Sequence, residues 1–244
     1  MTPRLKQQKL PDSNPSSRFA PIFKPRDALG AYIASPETYP ASTVLYYNDD
    51  FVVINDLYPK SSVHVLLLPR DPSKYFLPPF DAFEDQLFLQ KVKIEVGKIR
   101  KMVAGELRRK YGRQSAQDLV RLKAMEQDPP PEPVDLPAGR NWEQEVVSGI
   151  HAHPSMNHLH IHVLSVDRYS RCMKHRKHYN SFATPFLIGV EDFPLAENDV
   201  RRHPGRESYL KRDLVCWRCG RNFRSKFTTL KDHLETEFRE WKSL

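Results

Sequence analysis

An α+β fold, built as an antiparallel sheet with one long helix and completed by a small C-terminal metal-binding module, is predicted by three patterns in these 244 residues. Apolar side chains recur every three or four positions at Phe88, Val92, Val96, Ile99, Val103 and Leu107, the period of an amphipathic helix. Short apolar runs bounded by turn residues lie on either side of it, as strands do. Near the end, Cys216-Trp217-Arg218-Cys219 precedes His233 and Glu237 at metal-ligand spacing.

Taken in order, residues 1–26 are rich in Pro, Ser, Lys and Arg without hydrophobic periodicity and read as a basic disordered arm. From Asp27 to Ala34 the spacing predicts a short helix with Leu29, Tyr32 and Ile33 on one side, ended by Pro36 and Pro40. Tyr46-Tyr47, the turn residues Asn48-Asp49-Asp50 and the run Phe51 to Ile54 predict a hairpin. Val63 to Leu68 reads as a further strand, stopped by Pro69. Residues 105–140 begin basic and run into Pro129-Pro130-Pro131-Glu132-Pro133, which predicts a helix end and then a surface loop or insert. A short strand is expected within Trp142 to Ile150 and a clearer one over 158–166. The main domain is therefore set at 27–200 and the C-terminal module at 201–244.

A net charge of +8 favours polyanionic partners. Cys172, Cys216 and Cys219 are too few for a disulfide framework, so a reducing compartment is expected, and the C-x-x-C reads better as a metal site. The first eighteen residues carry no apolar leader run, and no segment reaches the roughly 18 to 20 apolar residues of a membrane span. A soluble intracellular protein, without membrane attachment, is expected.

His158-Leu159-His160-Ile161-His162-Val163-Leu164 alternates histidine with aliphatic residues, so in a strand the three imidazoles share one face while Leu159, Ile161 and Val163 enter the core. Three buried neutral imidazoles leave several polar nitrogens to satisfy, which costs stability unless chemistry requires them. Imidazole serves as nucleophile and proton shuttle near neutral pH. A metal-binding strand is the alternative reading of the same pattern. No Walker motif and no carboxylate pair for magnesium is visible, so no catalytic metal is expected.

These residues resemble the signature of the histidine triad superfamily, and Gly149 to Met156 resembles the approach segment of its aprataxin branch. Val52 to Lys60, His64 to Pro69 and Lys177 to Phe182 extend the resemblance in family order. It implies a histidine-triad fold with His160 as the nucleophile that attacks an adenylate phosphorus and becomes a covalent nucleotidyl-histidine. His151 lies where the family carries the acid for the departing phosphate, with an unassigned loop histidine as its plain alternative. Ser155, His158 and His162 would surround the phosphate, where donors matter most in the transition state. Asp56 would hold the ribose hydroxyls, or simply cap a turn, with Ile54 and Leu57 near the adenine; His64 would support the triad. By family position Lys60, Arg70, Ser73, Lys74, Ser170, Lys174 and Lys177 would contact DNA, a solvated face being the alternative. Tyr32 reads either as a stacking residue for a terminal base or as a core aromatic.

In the C-terminal module, thirteen residues separate Cys219 from His233, and Glu237 lies four further on. The thiolates form a knuckle and residues i and i+4 share a helix face, so four ligands can close on one structural zinc ion. Glu235 and Glu240 compete for the fourth place. Glutamate there resembles the variant of fungal aprataxins. Residues 201–244 hold 12 Lys/Arg against 6 Asp/Glu, and 168–178 hold Arg168, Arg171, Lys174, Arg176 and Lys177 with no carboxylate, which points to phosphate contact. The resemblance implies hydrolysis of AMP from 5′-adenylated, nicked or double-stranded DNA in DNA repair, in the nucleus with the cytoplasm as a further location; many small triad proteins dimerise, but the appended DNA module favours a monomer. A hydrolase of small adenine nucleotides and a DNA-binding protein with an inactive triad are the alternatives.

Overall fold

The computed structural model describes residues 25 to 244; positions 1–24 of the N-terminal arm lie outside the described residues. Pro25–Asp27 form a 3-10 turn and α1 spans Gly30–Ala34. That helix is shorter than the expected run from Asp27 and ends one residue before Ser35, which precedes Pro36, as the residue preceding a proline disfavours helix. Strands β1 (Val44–Tyr47) and β2 (Phe51–Asn55) form the expected hairpin. Asn48 makes the turn: its side-chain oxygen accepts from the amides of Asp50 and Phe51. β3 is His64–Pro69, with Pro69 as its last residue rather than a stop beyond it.

After the one-turn α2 (Pro79–Ala82), the long helix α3 runs over Gln86–Tyr111. Asp85 caps it by accepting from Leu87 N and Phe88 N. β4 (Val146–His151), β5 (Ile161–Ser165) and β6 (Leu187–Gly189) complete a six-stranded sheet of order β1-β2-β3-β5-β4-β6, every pair antiparallel. Its two faces are used differently. Val53, Val65, Leu67, Ile161 and Val163 meet Val92, Val96, Ile99 and Val103 of α3 in the main core. On the other face Val52, Ile54, Leu66 and Leu68 pack on Leu29 and Ile33 around α1. Leu66 is opposite His162 in the ladder, so the histidines belong to the α1 face.

Two expectations need correction. The 105–140 region is not a helix end followed by loop: α3 persists to Tyr111, and Ser115 starts a second helix, α4 (Ala116–Met125), with its hydroxyl on Asp118 N. The Ser115-x-x-Asp118 capping signature was present, but Leu119, Val120 and Met125 remain exposed, so the apolar period that marks a helix is weak. The second correction concerns the histidine run. β5 begins at Ile161, and His158 to His160 precede it outside the ladder, where the amide of Leu159 donates to the carbonyl of Tyr75 (2.7 Å). The in-out alternation survives all the same, with Leu159 and Ile161 both in the main core.

Helix α5 (Arg176–Ala183) follows β5, then α6 (Pro204–Glu207) and α7 (Phe227–Ser243). The C-terminal module shares a core with α5: Tyr179 and Met173 pack with Leu214, Phe223, Leu230 and Leu234. At its far end α7 drives Trp241 into the main core. Arg140 fastens it there, donating to the Trp241 carbonyl (2.6 Å) and pairing with Glu145, while Asp118 of α4 accepts from Trp142 Nε1. Among the described residues no helix is long and apolar enough to cross a membrane.

Candidate active site and metal centre

A cavity of about 510 Å³ opens on the α1 face. Its floor is the sheet, through Ile54, Leu66 and His162, with His160 just before β5; α1 supplies Tyr32, and Leu29 lies at the N-terminal boundary of that helix; the loop after β2 supplies Asp56, Leu57, Tyr58 and Lys60, and α5 supplies His178, Ser181 and Phe182. His151 and Ser155 close the remaining side. His64 stands behind His162, its Nε2 2.9 Å from His162 Nδ1.

The hydrogen-bond network assigns the tautomers. The amide of Lys60 donates to His64 Nδ1 (3.0 Å), so His64 carries its proton on Nε2 and donates it to His162 Nδ1. His162 then carries its own proton on Nε2, a buried atom with no partner among the described residues. His160 Nδ1 lies 2.7 Å from the carbonyl of His158 and donates to it, which leaves a lone pair on Nε2. His151 donates from Nε2 to the carbonyl of Ser181 (3.0 Å), leaving Nδ1 as its free nitrogen. The site thus offers two unprotonated imidazole nitrogens, His160 Nε2 and His151 Nδ1, and the unpartnered N–H donor of His162. Asp56 does two things: Oδ1 caps the turn at Tyr58 N, and Oδ2 lies 3.4 Å from His64 Nδ1.

Burial governs the protonation of this cluster. It pushes His64 down to about 4 against the partial opposition of Asp56, and pushes His151 down to about 3 with the help of His160. His160 and His162 are lowered for the same first reason. Burial also lowers the Lys60 ammonium, whose Nζ donates to the carbonyl of Tyr58 within the cavity. At neutral pH the site is therefore a set of neutral imidazoles.

The expected residues do not all gather here. His158 lies outside the cavity lining, its ring against Phe76 (centroids 4.6 Å) and Tyr75 (5.5 Å). Arg70 donates to the Asn48 carbonyl, Ser73 to Asp71, and Lys74 pairs with Asp85 (2.8 Å), so these three are engaged at the other end of β3. Ser170 bonds the Pro59 carbonyl, while Lys174 and Lys177 are exposed. Tyr32 is half-buried, its ring 4.6 Å from that of Tyr39, and still lines the cavity. Arg168 corrects the reading of 168–178 as a basic surface: it is buried and donates to the carbonyls of Val166 and Phe182. His178, Ser181, Phe182 and Met156 line the cavity without having been singled out. The spacing of His178, Ser181 and Phe182, i, i+3 and i+4, was the available signal that one helix face presents all three.

In the C-terminal module the thiolates of Cys216 and Cys219, an imidazole nitrogen of His233 and a carboxylate oxygen of Glu237 all lie within 4.8 Å of one another. That spread, with two sulfurs, one nitrogen and one oxygen, suits a tetrahedral zinc ion. The rival glutamates are otherwise engaged: Glu235 pairs with Arg239 and Glu240 with Arg218. Glu237 is buried, and its second oxygen accepts from Arg218 (2.6 Å), which orients the ligand.

Comparison with known proteins agrees with this arrangement. The histidine-triad (HIT) domain family matches residues 38–169, and a C2HE / C2H2 / C2HC zinc-binding finger matches residues 183–240. The aprataxin-like protein of Schizosaccharomyces pombe is 35% identical over 88% of this chain and 82% of its own length. That of Saccharomyces cerevisiae is 38% identical over 87% and 95%. A crystal structure of the aprataxin ortholog Hnt3 in complex with DNA superposes with a TM-score of 0.70 at 32% identity, covering 88% of this chain and 96% of that one.

Proposed function

The chain belongs to the aprataxin family of histidine-triad hydrolases, and we propose that it removes AMP from adenylated 5′ ends of DNA left by abortive ligation, restoring the 5′-phosphate. The observation that carries this reading is the bond from His160 Nδ1 to the His158 carbonyl, which leaves Nε2 unprotonated beside the unpartnered N–H of His162. In the first step His160 Nε2 bonds to the adenylate phosphorus as the bond to the DNA 5′-phosphate oxygen breaks. His162 Nε2–H and Ser155 receive charge on the phosphate oxygens. Water then attacks the phosphorus and gives its proton to His151 Nδ1, the P–N bond breaks with the electron pair returning to His160 Nε2, and AMP departs.

The acid of the first step is His151. Its Nε2–H stays on the Ser181 carbonyl, so protonation falls on Nδ1, the nitrogen free to meet the leaving oxygen. Burial favours the neutral form of His151, and the negative charge of a bound substrate raises its proton affinity when the proton is needed. Asp56 takes the ribose hydroxyls, with Ile54 and Leu57 against the base. Cys216, Cys219, His233 and Glu237 would hold a structural zinc ion, which would fix α7 against the C-x-x-C knuckle.

In this division residues 27–200 form the hydrolase domain and 201–244 the DNA-binding module, acting as one monomer in the nucleus. Lys174 and Lys177, exposed and outside every ion pair among the described residues, are the strongest candidates for phosphate contact; Lys60 acts inside the cavity instead. The test compares AMP attached to a nicked duplex with AMP attached to a small amine. A kcat/KM at least about a hundredfold higher on DNA, falling steeply with salt, is expected. Equal turnover of both at all salt concentrations would make the chain a hydrolase of small adenylates.

A further inference from the structure

His158 does not touch the cavity, yet it is 5% exposed and carries an Nδ1 with no partner among the described residues. Its ring is wedged. Phe76 and Tyr75 lie against it. Gly30, the first residue of α1, also closes on it, since an added Cβ there would come within 2.8 Å of His158 Nε2. No side chain larger than hydrogen fits there without moving the ring or the helix.

The neighbouring residue is tied to the same segment. Asn157 donates its amide N–H to the carbonyl of Arg26 (2.9 Å) and its side-chain N–H to the Asp27 carboxylate (2.5 Å). Arg26 in turn donates to the carbonyl of Ser155 (2.9 Å). Residues 25–30 are thus stitched onto 155–158, and the backbone carbonyl of His158 at the end of that stretch is the acceptor that orients His160. Leu29 and Tyr32, beside Gly30, form part of the cavity wall.

We propose that His158 is a strut and not a phosphate ligand, and that the Asp27–Asn157 pair and Gly30 are positioning residues that hold its carbonyl where it fixes the ring of the nucleophile. The proposal rests on the reading of His160 as the attacking group. Loss of the latch frees the His160 ring to turn, so Nε2 leaves its line of attack, while Ile54, Leu57 and Leu66, which line the cavity outside the latched segments, keep their places. The cost therefore falls on kcat and not on KM, since a misplacement of about 1 Å near the reacting atoms is worth up to about a hundredfold.

The experiment measures kcat and KM on a 5′-adenylated nicked duplex for the zinc-loaded full chain and for Asn157→Ala, Gly30→Ala, His158→Ala and His158→Phe, and records ring nitrogen NMR of His160 in each. Expected is a tenfold to hundredfold loss in kcat for the first three, with KM within about threefold and a changed His160 ring signal. Phe at 158 recovers most of the loss, because it keeps the wedge without a nitrogen. The exchange Asp27→Asn with Asn157→Asp, which rebuilds the bond in reverse, restores kcat. A rise in KM at unchanged kcat would overturn the proposal and make the segment a substrate wall only; so would His158→Phe as damaging as His158→Ala. Were the wild type itself inactive on adenylated DNA, the functional reading would fail, and the ring spectra would still decide whether the latch orients His160.

Discussion

The histidine cavity and the zinc module are both clusters of metal-competent side chains, and they treat their polar atoms in opposite ways. In the zinc module each ligand faces the others, and the spare oxygen of Glu237 is taken by Arg218. In the cavity, His64, His160 and His162 are buried beside a half-buried His151, His162 Nε2 is left without a partner among the described residues and His160 Nε2 without a proton. A structural centre satisfies its donors and gains stability from doing so. A reactive centre keeps donors and lone pairs unsatisfied for the transition state, and the rest of the fold offsets the cost.

Perturbing the two clusters should therefore move stability in opposite directions. Chelation gives the largest effect. Zinc binding in small fingers is worth on the order of 10 kcal/mol, and because Trp241 of α7 sits in the main core, metal removal should lower the melting temperature of the whole chain and red-shift tryptophan emission. Melting of the finger alone, with Trp241 still buried, would show the two units to be energetically independent. Next comes Arg140→Met. The guanidinium is buried between Glu145, the Trp241 carbonyl and the Trp142 ring, and breaking such a pair on one side costs about 3 kcal/mol or more, measurable by urea unfolding.

The cavity should respond to acid. Burial holds His64 at about 4 and His151 at about 3 while the unfolded chain titrates near the ordinary 6.5. As pH falls below that value the unfolded state takes up protons first. Stability is therefore complete above pH 6.5 and declines toward pH 4, each of the two imidazoles removing at most roughly 1.4 kcal/mol for every pH unit crossed, less whatever solvent relaxation returns. The double variant His64→Leu with His162→Leu removes both ends of a buried bond; it should be neutral or slightly stabilising at pH 7, flatten the acid decline and abolish turnover. The smallest effect is Ser115→Ala, which removes the cap of α4 and costs about 1 kcal/mol without touching activity.

What the sequence disclosed follows the same contrast. The zinc ligands are local: two cysteines on a knuckle and two residues one helical turn apart, so spacing places Cys216, Cys219 and His233 and narrows the fourth to Glu237 against its neighbours Glu235 and Glu240. The long helix and the hairpin were legible for the same reason, through an unbroken apolar period and an Asn-Asp-Asp turn. The histidine face was legible from alternation, although the ladder starts later than alternation implies. Hidden were the features made by distant partners. Helix α4 buries a carboxylate for Arg140 and Trp142 and little apolar surface, so its period is faint. The removal of His158 from the cavity depends on Gly30 and Phe76, each far from it in sequence. Arg168 reads as surface charge until its backbone partners are seen.

The central claim is that His160 attacks an adenylate on DNA. Purified wild type and His160→Ala incubated with a nicked duplex bearing a labelled 5′-adenylate, without added magnesium, test it directly. Release of AMP by wild type is expected, with a loss on the order of ten-thousandfold in the variant and duplex binding retained. No release by zinc-loaded wild type that binds the duplex, or equal release by His160→Ala, would contradict it.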